Sequence, residues 1–325
     1  MKSAFPVFAL TAALLVAPPA ARGFGQPRYS GNVYVSLDQW ARANAFSVRW
    51  LDGGKTLQLS KPPARLVFTV NSCDAEINGV GVRLSFPVAP QNGGVAITQL
   101  DLAKAIGPVL APPANPPGQK IKTICLDPGH GGRDSGEHIG SVQEKKYTLL
   151  LAQELRDQLT AAGFTVFLTR TADSYVELSD RTELARRRRA DLFVCLHFNS
   201  SPVAAAEVKG VETYCLTPAG ANSSNAHGQR GDTRWLAANR NDEKNLLLAY
   251  EVQKSLLREL AVEDREIKRA RFQVLREAVM PAILIEGGFL SHPVEGRRII
   301  DPGYRRRLAR AIMDGILAYK KIVRG

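Results

Sequence analysis

Two histidines each follow a short apolar run, and imidazole is a side chain that binds metal ions and transfers protons. His130 lies in a turn with three glycines after Ile121–Leu126, and His197 follows Leu192–Leu196. Both runs are too short for a helix, so each predicts a buried strand. Ligands of an open α/β sheet bind at the carboxyl ends of its strands. We therefore expect both imidazoles at one site, the alternative being buried histidines that hydrogen-bond to the backbone.

Glu286 follows a third apolar run, Pro281–Ile285, and is followed by two glycines. Burial of a carboxylate is costly unless it meets a cation or a proton partner. The position therefore predicts either a pair with an arginine or a place in a reactive site.

Glu144 has two interpretations. It begins a predicted helix that ends at Gly163, and Ser141-Val-Gln-Glu is the pattern of a capping box. A carboxylate in the first turn also suits the helix dipole. The local pattern by itself favours a cap over a metal ligand.

Two imidazoles and the Glu144 carboxylate would together supply the three protein ligands of a catalytic zinc site, with the fourth position left for water. Zinc would polarise the carbonyl oxygen of the substrate. Glu286 would remain as the base that takes a proton from water and delivers it to the leaving nitrogen. No nucleophile is comparably supported, because the chain has no Gly-x-Ser-x-Gly turn and no cysteine in an exposed turn near a histidine.

Four motifs resemble those of the zinc-dependent N-acetylmuramoyl-L-alanine amidases of the amidase 3 type, within a similarity that spans about Ile121 to Tyr319. They are Leu126-Asp-Pro-Gly-His-Gly-Gly, Gln143-Glu-Lys, Leu196-His-Phe-Asn-Ser and Leu284-Ile-Glu-Gly-Gly-Phe-Leu-Ser-His-Pro. The resemblance implies one zinc ion held by His130, Glu144 and His197, with Glu286 as the catalytic glutamate. It reverses the local preference at Glu144, which can both start the helix and bind metal.

The resemblance also implies a reaction and partners. The reaction is hydrolysis of the amide between N-acetylmuramic acid and the L-alanine of peptidoglycan, in cell-wall remodelling or cell separation. In some relatives an inhibitory insertion covers the cleft until an activator protein moves it. Three alternatives stay open: a zinc peptidase acting on stem peptides, a non-catalytic wall-binding protein, and a charge-driven binder of anionic polymers.

The elements that carry these residues predict an α/β fold, a mostly parallel sheet flanked by helices, over residues 120–325. A small accessory α+β domain is expected over 28–109, where Val33–Asn44 and Val95–Ile106 share a pattern of strand, polar cap and short helix. This region resembles the copper amine oxidase N-terminal-like domain. Its expected role is either accessory binding or positioning, or only stabilisation of the neighbouring domain. Prolines within residues 110–119 predict an extended linker.

Residues 1–25 have the features of a secretory signal peptide, with Lys2, the apolar run Phe5–Val16 and a small-residue region suited to cleavage. The run is shorter than the roughly 20 residues that a membrane helix needs. We therefore expect export to the periplasm, the cell wall or the medium, with no transmembrane segment in the mature chain.

The formal net charge of +12 and the run Arg186–Arg189 indicate attraction to acidic partners. Nucleic acid is a poor candidate, because an exported protein seldom meets it and the run lacks interleaved aromatic residues. An anionic cell envelope would use the same charge through non-specific steering.

Further expectations concern residues outside the predicted site. The four cysteines are expected to be free, mostly buried thiols, since three lie in apolar runs and none belongs to a Cys-x-x-Cys pair. We expect His138, His227 and His292 at the surface. Thr217–Asn241 is long and lacks a hydrophobic pattern, which is typical of functional or disordered connections. We expect it to leave the same sheet edge as His197 and to form a mobile substrate-side lid rather than an inhibitory plug.

Overall fold

The computed structural model describes residues 28–29, 32–91, 93–201, 203–225 and 231–324. The expected signal peptide, residues 1–25, lies outside them. Within the described ranges, none of the helices combines the length and the apolar composition that crossing a bilayer requires.

The N-terminal region consists of short strands and brief helices. Its strands are β1 (Arg28–Tyr29), β2 (Asn32–Ser36), β3 (Ser47–Leu51), β4 (Thr56–Lys61), β5 (Ala64–Thr69), β6 (Asp74–Ile77), β7 (Val80–Arg83), β8 (Ala89–Gln91) and β9 (Gly94–Thr98). Its helices are α1 (Leu37–Ala43), α2 (Gln99–Asp101) and α3 (Gly107–Leu110), with a 3-10 turn at Asp52–Gly54 and a π-helical turn at Leu102–Ile106.

The two similar segments of this region meet in space. Val35 of β2 pairs with Ile97 of β9 in an antiparallel ladder. Ser36 and Thr98 each accept a hydrogen bond from a backbone N–H of the helix that follows, so both act as N-caps. The shared pattern thus forms matching strand-and-helix units.

The C-terminal region alternates strands with longer helices. Its strands are β10 (Thr123–Pro128), β11 (His138–Ile139), β12 (Val142–Gln143), β13 (Thr165–Leu168), β14 (Leu192–Asn199), β15 (Val211–Leu216), β16 (Asp264–Ala270) and β17 (Ala282–Phe289). Its helices are α4 (Glu144–Ala161), α5 (Leu178–Arg187), α6 (Asp242–Leu260), α7 (Gln273–Arg276), α8 (Pro293–Ile300) and α9 (Pro302–Ile322), with a 3-10 turn at Ala237–Asn241.

The main sheet has the strand order β13-β10-β14-β17-β15-β16 and continues through β7, β6, β5 and β4 to β3. Neighbours in its C-terminal part are parallel except for β15 and β17, which confirms the expected mostly parallel sheet. The two regions join where Ile267 pairs with Val82 and where the N–H of Gly81 donates to Asp264 at 2.7 Å. The domain boundaries at 109 and 120 stay a prediction.

Apolar clusters cover both faces of the C-terminal sheet, and alternate residues of β14 belong to different clusters. On one face α6 and α4 pack against α9. The expected apolar stripe of α4 is buried there, at Tyr147, Leu151, Leu155 and Leu159. Each fully buried leucine stabilises the fold by roughly 1.5–3 kcal/mol. Residues of α5 and α7 pack on the other face.

Strand β15 runs opposite to β14 and β17. Its Tyr214 pairs with Leu284 in an antiparallel ladder, whereas β14 and β17 are parallel. Leu216, at the end of β15, therefore lies at the edge that carries the amino ends of β14 and β17. The expectation that Thr217–Asn241 leaves the same sheet edge as His197 is wrong, because strand direction depends on pairing with a distant strand.

Candidate metal centre

His130, Glu144 and His197 come together at the carboxyl edge of the parallel strands. His130 follows β10, His197 lies near the end of β14, and Glu144 begins α4. Nε2 of His130 lies 3.0 Å from Oε2 of Glu144, and Nδ1 of His197 lies 2.9 Å from Oε1. One ligand atom from each side chain falls within 4.8 Å of the others. This spacing suits three ligands of one ion, since zinc–ligand bonds are roughly 2.0–2.2 Å long.

The Glu144 carboxylate does not cap its own helix. Oε2 accepts a hydrogen bond from the N–H of Glu137 and Oε1 accepts one from the N–H of Phe198, each at 3.0 Å. The N-cap is Gln143, whose side chain makes no capping bond. The capping-box interpretation of Ser141 and Glu144 is therefore wrong, and the carboxylate faces the histidines.

Asp134 orients the imidazole of His130. Its Oδ2 lies 2.9 Å from Nδ1, which leaves Nε2 towards Glu144. Burial lowers the pKa of His130, but the carboxylates of Glu144 and Asp134 outweigh it and the net shift is upward. Burial raises the pKa of Glu144, yet hydrogen bonds to His130 and His197 bring it far below its ordinary value. The site thus stabilises an ionised carboxylate between two nitrogen donors.

Glycines let the backbone approach the three side chains. A Cβ atom on Gly129 would lie 2.3 Å from Cε1 of His197, and one on Gly136 would lie 2.5 Å from Oε2 of Glu144. His130 itself has a φ of 61°, in the left-handed region. Glycine is therefore required at both positions for steric reasons.

Two buried arginines support the His130 turn, and sequence reasoning assigned no role to either of them. Arg170 donates to the carbonyl oxygens of Pro128 at 3.0 Å and Gly129 at 2.8 Å. Arg181 donates to the carbonyl oxygens of Pro128 and His130, each at 3.0 Å. Arg181 lies in α5 without any local pattern that marks it, so only its tertiary contacts reveal its role.

Arg181 also forms an ion pair with Asp127 inside the protein. The distance from Nη1 to Oδ1 is 2.9 Å, and the two side chains are 2% and 1% exposed. Asp127 further accepts hydrogen bonds from Thr169 at 2.5 Å and from the thiol of Cys195 at 3.0 Å. The aspartate of the first motif is therefore a structural anchor beneath the cleft.

Glu286 lies on β17 beside the cluster. It pairs in register with His197 on β14 and with Glu212 on β15. Among the described residues, its buried Oε2 has no hydrogen-bond partner and its carboxylate forms no ion pair. Burial, then the charges of Glu144 and Glu212, raise the pKa of Glu286 well above its ordinary value, and Lys268 opposes them. Of the two expectations for Glu286, the geometry favours a place in a reactive site.

The expected ligands and Glu286 line one cleft of about 520 Å³. Phe272, Val274 and Leu284 form an apolar part of its wall. None of the described residues within 217–225 and 231–241 lines it. The lid prediction for Thr217–Asn241 therefore has no support in the described part of that segment.

None of the other described histidines and none of the cysteines lines the cleft. His138 is exposed, and His227 lies outside the described residues. His292 is buried and accepts hydrogen bonds from the first turn of α8, so its expected surface position is wrong. The four cysteines are free, as expected, and burial raises the pKa values of all four thiols.

The family profile described as N-acetylmuramoyl-L-alanine amidase, amidase 3 type, matches residues 124–318. The chain belongs to this family. The amidase AmiC of Neisseria meningitidis serogroup B is 36% identical over 222 residues, which are 60% of this chain and 52% of that protein. This chain thus spans about half the length of that curated amidase.

Solved amidase structures match the C-terminal region. AmiC2 of Nostoc punctiforme is 31% identical, covering 63% of this chain and 99% of that one, with a TM-score of 0.52. The CwlD amidase of Clostridioides difficile, in complex with the GerS lipoprotein, is 28% identical, covering 62% and 99%, with a TM-score of 0.51. The predicted fold class is confirmed by these amidases.

Proposed function

We propose that this protein is a zinc-dependent N-acetylmuramoyl-L-alanine amidase of peptidoglycan, with the ion held by His130, Glu144 and His197. The observation that carries the proposal is the convergence of these side chains in one cleft beside Glu286, whose Oε2 has no hydrogen-bond partner in the described part of the chain. Membership of the amidase family and the amidase name of the 36%-identical relative support the choice of substrate.

The donor set fits zinc. Two imidazole nitrogens and one carboxylate are a common set of protein ligands in catalytic zinc sites, whereas magnesium and calcium prefer oxygen. The ligands are also oriented by neighbours, since Asp134 contacts His130 and the N–H of Phe198 donates to Glu144. When bound, zinc would act as a Lewis acid that polarises the scissile carbonyl.

Glu286 is proposed as the group that moves the proton. It takes a proton from the water that attacks the carbonyl carbon and delivers it to the leaving nitrogen. The C–N bond breaks, which leaves a lactyl carboxylate on the sugar and a free amino group on L-alanine. A raised pKa brings the carboxyl group closer to neutral pH, where it can both accept a proton and return it.

The same proposal covers location and partners. Residues 1–25 would direct export, and the protein would act on peptidoglycan in the periplasm or the cell wall. The N-terminal region would bind the wall or position the cleft upon it. An activator protein is a further proposed partner, in line with the lipoprotein that accompanies the CwlD relative.

Mass spectrometry of digested peptidoglycan tests the reaction, because it identifies the bond that is cut. The expected products are stem peptides that begin with a free L-alanine and glycans with a free lactyl carboxyl group. Cuts within the stem peptides would assign a zinc peptidase instead. Binding to the wall without any product would assign a wall-binding protein.

Zinc dependence has its own test. A chelator should remove the activity, and added zinc should restore it.

A further inference from the structure

The amino ends of the parallel strands form a second charged region, opposite the cleft. Five residue steps from Leu192 to His197, at roughly 3.3 Å each, separate it from the candidate metal centre by roughly 15–20 Å. Two hollows open here, and cationic side chains line them. We call this region the basic edge, and its cations are Lys120, Lys122, Arg186, Arg189, Lys244, Lys320 and Arg324.

The two hollows form one groove. Their volumes are about 250 and 730 Å³, and both are lined by Asn115, Gln119 and Ile121. Asn115 is fixed in place, because its N–H donates to the carbonyl of Val323 at 2.8 Å and its Oδ1 accepts from Lys244 at 2.7 Å. The predicted linker thus helps to shape a continuous concave surface.

Internal carboxylates do not balance these cations. Asp191 is the one carboxylate among the described residues that line the groove, and its Oδ2 accepts the backbone N–H groups of Lys122 and Thr123 at 2.7 and 2.8 Å. Arg186 pairs with Glu183, but exposed pairs of this kind contribute little. Within the described ranges, four exposed cations of the groove form no ion pair: Lys120, Lys122, Arg189 and Arg324.

The remaining two cations are partly buried among these charges. Burial lowers the pKa of Lys244. Burial and then the charge of Arg324 lower the pKa of Lys320, and Asp191 opposes this shift without reversing it. Concentrated charge of one sign destabilises a folded protein through self-repulsion, and an external anion relieves it. The groove is therefore suited to a ligand that brings several negative charges.

We propose that the basic edge binds a linear polymer of repeated phosphate groups from the cell envelope. Lysine, arginine and neutral amide side chains are phosphate-binding groups, and the groove offers all three. The concave shape of the groove fits a linear chain better than a flat bilayer. Among its described residues, Val279 is the one large apolar side chain that is exposed, so the groove offers little apolar surface to a membrane. The site is separate from the cleft and independent of the proposed amidase activity.

Neutralisation of the four unpaired cations tests the site. The edge variant is Lys120→Gln/Lys122→Gln/Arg189→Gln/Arg324→Gln. The matched control removes the same charge from exposed residues elsewhere, as Arg42→Gln/Arg49→Gln/Lys55→Gln/Lys209→Gln. The probes are long-chain inorganic polyphosphate and poly(glycerol phosphate), with binding measured by calorimetry at several salt concentrations in the full chain.

The edge variant should bind both probes at least about ten-fold more weakly. Its affinity should also depend less steeply on salt, because binding through fewer phosphate contacts releases fewer counterions. The control should lose less than about two-fold, because its cations lie outside the groove. The double variants Lys120→Gln/Lys122→Gln and Arg189→Gln/Arg324→Gln should each lose part of the affinity. Zinc content should be unchanged in every variant.

Two results would overturn the proposal. Equal losses in the edge and control variants would assign the attraction to net charge alone. Binding to vesicles of anionic phospholipid, without binding to either phosphate polymer, would make the edge a membrane-docking surface instead. Neither result depends on whether the cleft hydrolyses peptidoglycan.

Discussion

Glu212 lies directly opposite Glu286 across the antiparallel ladder of β15 and β17, but the two carboxylates have different surroundings. Glu212 accepts hydrogen bonds from Asn199 and Lys268 and lies 3.8 Å from Arg265. Glu286 has no such partner among the described residues. A carboxylate held by an amide and two cations is fixed in place, whereas one without such partners can exchange a proton, so we propose proton transfer for Glu286 and a structural role for Glu212.

Replacement of Glu286 separates chemistry from metal binding. Glu286→Gln should keep the fold and the zinc but lower turnover on the order of 10²–10⁴-fold, because an amide cannot exchange the proton. Glu212→Gln is the control, and its rate should fall much less. Zinc content and release of stem peptides measure the two effects. Wild-type turnover by Glu286→Gln would refute the assigned mechanism.

Replacement of Glu144 tests the proposed ligand set. Glu144→Ala should lose zinc, because it removes the carboxylate between His130 and His197. The control Glu137→Ala should retain zinc, since Glu137 contacts Glu144 through its backbone N–H and carbonyl oxygen, which alanine keeps. Metal analysis of the purified variants decides the matter. Full zinc retention by Glu144→Ala would exclude Glu144 as a necessary ligand.

Acid pH should also release zinc from the wild-type protein, because the imidazoles of His130 and His197 become protonated.

Loss of Arg181 should destabilise the protein strongly. Arg181→Met leaves Asp127 buried without its cation, which costs about 3–5 kcal/mol in the free energy of unfolding. Arg133→Met is the control, because its ion pair with Glu177 is exposed and contributes little to stability. Urea unfolding measures both. Adding Asp127→Asn to Arg181→Met should recover part of the loss, and equal stability of the two single variants would contradict the buried pair.

Glu266 should make stability depend on pH where the two regions join. Burial and then Asp74 raise the pKa of Glu266 to about 7, Arg83 and Lys268 oppose this shift, and Asp264 adds to it. The pKa of Glu266 is higher in the folded protein than in the unfolded chain, so the protonated carboxyl group stabilises the folded state. This stabilisation is complete below the unfolded pKa and is lost as the pH rises through 7.

A shift of one pKa unit corresponds to about 1.4 kcal/mol. The free energy of unfolding should therefore fall by an amount on the order of 2 kcal/mol between pH 5 and pH 8. Urea unfolding at both pH values measures it. Glu266→Gln should abolish this difference, and an unchanged pH dependence in that variant would show that another group titrates.

The sequence alone was sufficient to locate the histidines of the candidate site. A short apolar run that ends at a glycine-rich turn has few structural solutions, so His130 and His197 were correctly expected at the carboxyl edge of a parallel sheet. The stripe of α4 was equally predictable, because its apolar residues repeat with the helix period.

Other features depended on the tertiary structure. The direction of β15 follows from its pairing with β17, more than 60 residues later in the chain. This pairing places Leu216, and so the start of the following segment, at the edge opposite His197. The contacts of Glu144 come from the loop at Glu137 and from β14, whereas its local pattern indicated a cap. Arg181 supports the His130 turn from a helix more than 50 residues away. Local sequence determines which side chains a strand or helix presents, but long-range pairing and packing decide what those side chains meet.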